Sequence, residues 1–127
     1  MIINFDRKNG YVENENGRRR YLPGIRYGFS RIAREAERIA INMPIQSLAA
    51  DLLKIAMINI QKYIDENNLN SKVRMLLSIH DELLFEVSKD IIEDVNPKIK
   101  QIMETAYALA CPLIVNIKIG QSLANLK

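Results

Sequence analysis

The chain has 127 residues, 48% of them hydrophobic and 26% charged, which is one ordinary domain's length and too apolar for wholesale disorder. No uninterrupted apolar run approaches the ~18–20 residues of a membrane helix, and Met1–Asp6 has neither a basic start nor an apolar stretch, so neither a membrane span nor a secretory signal is expected. The single cysteine, Cys111, can form no internal disulfide or zinc site, which suits a reducing, cytoplasmic setting.

The net charge of +3 is unevenly spread. Residues 1–38 carry nine basic groups against five acidic ones, and the seven bases from Arg18 onward are all arginine. Guanidinium groups suit bidentate phosphate contacts, so a polyanionic partner such as nucleic acid is one reading and a solvated basic face the other.

In chain order, residues 10–23 predict a hairpin. Tyr11-Val12-Glu13 and Arg18-Arg19-Arg20-Tyr21-Leu22 flank Asn14-Glu15-Asn16-Gly17, a tight-turn signal, and Pro23-Gly24 stops the second strand. Ser30 is placed to cap a helix carrying Ile32, Ala33, Ala36, Ile39 and Ala40 at helical spacing. Pro44 biases Met43 away from helix, so this helix is expected to end near Asn42 and a second to start at Pro44. The second helix carries an apolar stripe (Ile45, Leu48, Ala49, Leu52, Ala56, Ile60, Tyr63, Ile64) as far as Asn67-Asn68.

From Lys72 to Val87 the period becomes two, giving two strands joined by a very short connection. Val73, Met75, Leu77 and Ile79 fall on one face of the first strand, and Leu83, Phe85 and Val87 on one face of the second. Ser88 is expected to cap a helix over 88–111 that Pro97 kinks or restarts, with Asn96 as a second cap, and residues 113–119 alternate as a last strand ended by Gly120. The fold class is α+β: an antiparallel sheet whose central hairpin carries His-Asp-Glu at its turn, packed against long helices as one domain over 1–127.

That hairpin connection, His80-Asp81-Glu82, is chemically odd. Tight turns favour Asn-Gly or Gly-containing pairs because they need positive φ, and two adjacent carboxylates repel unless a cation or strong donors offset them. Carboxylates fixed on a rigid hairpin suit Mg²⁺, which one or two carboxylates hold together with substrate phosphates; a solvent-exposed acidic turn has the same pattern. His80 has no second His or Cys nearby to make a zinc site. A second polar group, Arg38, Asn42 and Gln46, falls four apart leading into the long helix. Amides can read base edges while Arg holds a phosphate, although Asn42 also suits a helix cap and Gln46 a first turn.

Taken together, these segments resemble the C-terminal palm portion of the family A, or DNA polymerase I type, DNA polymerases. The resemblance is carried by Arg7–Glu13, Gly17–Pro23, Ala36-Glu37-Arg38 through Ala49-Ala50-Asp51, and Leu76–Leu83, in the family's order. It implies that Asp81 is the metal-ligating aspartate of motif C and that Glu82 supports the metal site, giving the two catalytic carboxylates. It further implies that His80 contacts the primer strand, and that Arg38, Asn42 and Gln46 touch the primer–template duplex, with Gln46 in the minor groove. Arg18, Arg19 and Arg20 lie in the family's basic hairpin over 1–28, with weaker DNA contact implied. The implied reaction is template-directed attack of a primer 3′-hydroxyl on the α-phosphate of a dNTP, with two Mg²⁺ ions.

Departures from the pattern matter as much. No motif A aspartate and no nucleotide-binding helix is present, and Tyr27-Gly28 lacks the lysine that the helix pattern requires. Ser47-Leu48 stands where the family has Gly-Thr, and Leu123 where a Trp is common. The chain is therefore expected to be inactive alone and to act as part of a larger or split polymerase, with the remainder as a separate chain in the latter case, and with apolar patches left uncovered. The competing readings are a non-catalytic duplex-DNA-binding module and, less well supported by ligand count, a metal-dependent nuclease on Asp81-Glu82.

Overall fold

The computed structural model describes residues 8–26 and 30–126; the Arg7 end of the first matching stretch and Tyr27-Gly28 lie outside them. The described elements are β1 (Tyr11–Glu13), β2 (Arg19–Tyr21), α1 (Arg31–Glu66), β3 (Val73–Ile79), β4 (Glu82–Val87) and α2 (Ile92–Glu104), with 3₁₀ turns at Pro23–Arg26 and Leu123–Asn125. The chain is α+β with two small antiparallel sheets, β1-β2 and β3-β4. It divides into two compact units, Met1–Asp51 and Leu52–Lys127, and the boundary falls inside α1.

In the first unit the expected hairpin forms, with Tyr11 opposite Tyr21, Val12 opposite Arg20 and Glu13 opposite Arg19. Asn14 makes its turn. The side-chain Oδ1 accepts from the amides of Asn16 and Arg18, both at 3.0 Å, while the Gly17 amide donates to the Asn14 carbonyl. Gly17 sits at φ +80°, a conformation open to glycine without a Cβ clash. Val12, Leu22 and Ile25 bury against Ala36, Ala40 and Met43 of α1. The small alanines let the hairpin and the 3₁₀ turn approach closely: a Cβ on Gly24 would stand 2.7 Å from the Ile32 side chain.

Ser30 caps α1 as expected, its Oγ accepting from the Ala33 amide at 3.1 Å. The expected break at Pro44 does not occur. Residues 31–66 form one helix with Pro44 inside it, rather than two helices meeting at Asn42. Proline's φ is itself helical, and what it removes is one amide donor. The tertiary contacts of Ala40 and Met43 just before it supply burial that outweighs the local preference of Met43. The predicted stripe holds at Ala56, Ile60, Tyr63 and Ile64 and is corrected in its first half. Ile45 is 73% exposed and Ala49 is exposed, and the buried positions between residues 43 and 56 shift to the face holding Asp51. By length and composition alone α1 could cross a membrane, but its buried side chains serve protein cores.

The end of α1 is a Schellman motif. Asn68 adopts φ +55°, the Leu69 amide donates to Ile64 O at 2.9 Å and the Asn68 amide to Asp65 O at 3.2 Å. In the second unit Ile60, Ile64, Val73, Val95 and Ile99 form the buried centre, flanked by Leu69, Met75, Leu83, Phe85 and Val87.

The β3-β4 hairpin forms where expected, but its register shifts between Met75 and Leu77. Leu76 is the extra residue of a bulge. Past it, Leu77 pairs with Leu84 and Ile79 with Glu82, so these two leave the face that Val73 and Met75 share and become exposed. Sequence alternation alone keeps all four together.

Four further expectations are corrected in the second unit. Helix α2 starts after Ile91, not at a Ser88 cap; Ser88 Oγ instead donates to Asp90, which also pairs with Lys72 at 2.5 Å. Of the two alternatives at Pro97 the restart does not occur: the residue stays within one helix and Asn96 caps nothing, because Val95 and Ile99 are held in the core on either side. The helix stops at Glu104 rather than 111, as the Thr105 hydroxyl and amide both donate to Gln101 O. Residues 113–119 pair with no strand among the described residues. The Val115 amide donates instead to the Glu104 carboxylate at 2.9 Å, and without a ladder a strand has no partner for its polar backbone.

Candidate nucleic-acid interface and acidic turn

Alternation along β2 decides what each arginine can reach. Arg19 shares the outer face with Tyr11, Glu13 and Tyr21. Its guanidinium lies 4.6 Å from the centre of the Tyr11 ring and donates to Glu13, whose carboxylate raises the arginine's pKa further. Arg18, which precedes the strand, reaches the long helix and pairs with Asp51. Arg20 has no hydrogen bond or ion pair among the described residues. Of the three arginines, then, two are engaged by their own fold and one is available.

The polar row of α1 is also located. Arg38, Asn42 and Gln46 are all exposed on one continuous helix, so Asn42 is not the helix cap and Gln46 not a first-turn residue. Arg18, Arg19, Arg20, Met43, Gln46 and Ser47 line one open groove of about 410 Å³. The hairpin and the helix thus bring the basic tripeptide and Gln46 to the same place; Arg38 and Asn42 lie outside the groove lining.

Beneath this groove is a network that sequence reading missed. Asn14 (5% exposed) donates to Ser47 Oγ and to Asp51, both at 2.9 Å, and Asp51 (7% exposed) also accepts from Asn16 at 3.3 Å and from Arg18. The Arg18 guanidinium, then Asn14, hold the Asp51 carboxyl down at about 2. The only sequence signal was Ser47 itself, singled out as a departure from the family's pattern. The structure gives that hydroxyl a partner.

In the second unit, His80 and Asp81 form a two-residue turn between Ile79 and Glu82. The bulge and the contact of Phe85 opposite Met75 pin its register. His80 adopts φ +54°, so the sign of φ that glycine usually supplies at a tight hairpin is here borne by histidine. The side chains of His80, Asp81 and Glu82 are all exposed and make no hydrogen bond or ion pair among the described residues. No group of three or more His, Cys, Asp or Glu side chains converges among those residues either. Asp81 and Glu82 offer the hard carboxylate oxygens that a divalent cation takes, but two carboxylates are fewer than its full ligand set.

The profile of DNA polymerase family A matches residues 1–125. The chain is 42% identical over 121 residues to the thermostable DNA polymerase I of Thermus aquaticus, covering 95% of this chain and 14% of that protein. It is 43% identical over 121 residues to DNA polymerase I of Mycobacterium leprae and 44% over 119 to that of Deinococcus radiodurans, covering 13% and 12% of them. Among solved structures, the polymerase domain of Pol1 from M. smegmatis, in complex with DNA primer–template and dNTP, superposes with a TM-score of 0.81 at 42% identity. That match covers 88% of this chain and 19% of the other, so the chain spans about one eighth to one fifth of the proteins it resembles. With a matching profile over nearly its whole length and a fold that follows, the chain belongs to DNA polymerase family A.

Proposed function

We propose that this chain is the palm portion of a DNA-directed DNA polymerase, presenting one acidic turn and a primer–template face to a template-directed nucleotidyl transfer that it cannot perform alone. The observation that carries this is the tip of the β3-β4 hairpin: Asp81 and Glu82 stand exposed and unpaired among the described residues on a tight turn, inside a family A sequence. Asp81 is the proposed metal ligand and Glu82 its supporting carboxylate. Mg²⁺ held there would stabilise charge on the transferring phosphoryl group and its attacking and leaving oxygens.

The chain's own residues bind and orient. His80, next to the carboxylates, would touch the primer strand near its reacting end. Gln46 would donate to the minor-groove acceptors, which occupy similar places in every correct pair, and so sense pair geometry without reading sequence. Arg20, and Arg38 and Asn42 along α1, would hold the duplex backbone. The family relationship and a neighbour solved with primer–template and dNTP support these assignments.

Two measurements test the reading. Primer extension by the purified chain with Mg²⁺ is expected to yield no product, and extension would refute the claim of dependence on other segments. Grafting residues 4–125 into the matching region of the Thermus aquaticus enzyme is expected to give an active chimera. In it, Asp81→Ala should abolish extension while duplex affinity stays within about twofold. A chimera that extends primers equally well with and without the Asp81→Ala change removes Asp81 from catalysis and leaves a duplex-binding module.

A further inference from the structure

We infer that Asn14, Ser47 and Asp51 form a polar clasp that positions the basic hairpin for duplex DNA, taking Arg18 out of phosphate contact and leaving Arg20 as the tripeptide's phosphate-binding cation. The inference rests on the duplex-contact reading above and adds the residues that would set its geometry.

The buried stripe of α1 runs Ala33, Ala36, Ala40 and Met43, then continues at the same face with Ser47 and Asp51. An apolar side chain at either position could pack, but it could not choose where the turn of a short hairpin rests. A hydroxyl and a carboxylate can. Asn14 uses both ends of its amide: Oδ1 closes its own turn through the Asn16 and Arg18 amides, and Nδ2 reaches Ser47 and Asp51. The same side chain therefore shapes the turn and docks it. Arg18 then completes the Asp51 carboxylate, which commits that guanidinium to the protein's own structure.

What remains follows from alternation. Arg19 points to the outer face and is held by Glu13 and Tyr11. Arg20, opposite buried Val12, emerges at the margin of the hairpin beside Met43, Gln46 and Ser47. The clasp fixes that margin against α1, so Arg20 and Gln46 line one groove without having to be ordered at the moment of binding. Such preorganisation removes an ordering cost from binding without adding a contact.

The test separates positioning from contact by salt dependence. A fluorescein-labelled primer–template duplex is titrated with the full chain at several salt concentrations, for the unmodified protein and for Arg20→Ala, Arg18→Ala, Asn14→Ala and Asp51→Asn. Arg20→Ala is expected to weaken binding and to lower the log–log salt slope by about 0.9, the effect of one lost phosphate contact on duplex DNA. Asn14→Ala keeps all three arginines and the Arg18–Asp51 pair, and is expected to weaken binding about tenfold with the slope unchanged, since the bound state keeps its contacts. Asp51→Asn releases Arg18, and is expected to raise the slope as that guanidinium becomes free to meet a phosphate. Arg18→Ala should behave like Asn14→Ala and not like Arg20→Ala. Circular dichroism at the assay temperature confirms that each variant is folded, and Ser47→Ala, a milder change, serves where Asn14→Ala is not. An Asn14→Ala chain that binds as tightly as the unmodified one overturns the inference, as does a slope that stays level with Asp51→Asn or falls with Arg18→Ala instead of Arg20→Ala; each leaves the duplex-contact reading standing. A chain that binds no duplex overturns both together.

Discussion

Replacing His80 by glycine and by alanine asks opposite things of the hairpin turn. At φ +54° an L-residue is destabilised by about 1–2 kcal/mol through the contact between its Cβ and its own backbone, whichever side chain follows. Alanine keeps that Cβ, and His80 is exposed with no hydrogen-bond partner among the described residues, so His80→Ala should leave stability nearly unchanged. Glycine removes the strain and loses about 0.5–1 kcal/mol of that gain through its freer unfolded state. The net expectation is that His80→Gly is more stable than His80→Ala by about 0.5–1 kcal/mol, the reverse of their order inside a helix or strand. In thermal unfolding of the isolated chain this is roughly 2–5 °C between the two variants. An alanine variant as stable as the glycine one, or more so, would show that the turn carries no backbone strain. Strain kept at a turn is worth retaining where it aims a side chain, so His80→Gly in the chimeric polymerase should lower primer extension although it stabilises the fold.

Asn68 holds φ +55° at the end of α1, and there too glycine fits better, so Asn68→Gly should raise the urea midpoint by the equivalent of about 0.5–1 kcal/mol. Ser30→Ala removes the Oγ that caps the Ala33 amide and is expected to cost about 1 kcal/mol in the same measurement. Ile60→Ala, at the fully buried centre of the second unit, should cost about 2–5 kcal/mol and lower the midpoint far more than Ile45→Ala on the exposed side of the same helix. Acid should act through two carboxyls held near 2, Asp51 by Arg18 and Asn14 and Asp90 by Lys72 and Ser88. Both bind protons more weakly folded than unfolded, so their contribution is complete above about pH 4 and is lost as pH falls towards 2. Denaturant midpoints measured between pH 5 and pH 2 should therefore fall less steeply for Asp90→Asn than for the unmodified chain.

The elements themselves were legible wherever one local signal dominated. Asn14–Gly17, Ser30, Asn67-Asn68 and the change of period at Lys72 each mark a boundary that the structure keeps. The two prolines were misread for one reason. Pro44 and Pro97 each carry a strong local preference for ending a helix, but Ala40 and Met43 before the first, and Val95 and Ile99 around the second, are anchored in cores. Losing one backbone hydrogen bond is less unfavourable than withdrawing those side chains from burial. The alternation of 113–119 was real as a pattern and still gave no strand among the described residues, because a strand is a pairing and the pattern names no partner.

The site divides along the same line between what neighbours in sequence can say and what only distance in sequence brings together. His80-Asp81-Glu82 was visible because its oddity is local: carboxylates stand where a tight turn prefers glycine, and the positive φ at His80 is the physical form of that oddity. Residues 14 and 51 carry no such mark. Asn14 reads as an ordinary turn residue and Asp51 as an ordinary helix-surface acid until the hairpin folds onto α1 and buries both. Ser47 lay between the two cases, since a side chain in place of glycine is a local oddity whose meaning depends on Asn14 thirty-three residues away. Ser47 lies within α1, where a hydroxyl facing a folded neighbour is satisfied once it finds a donor, and here the donor is the Asn14 amide. Its side chain is thus part of the clasp that ties the basic hairpin to the helix.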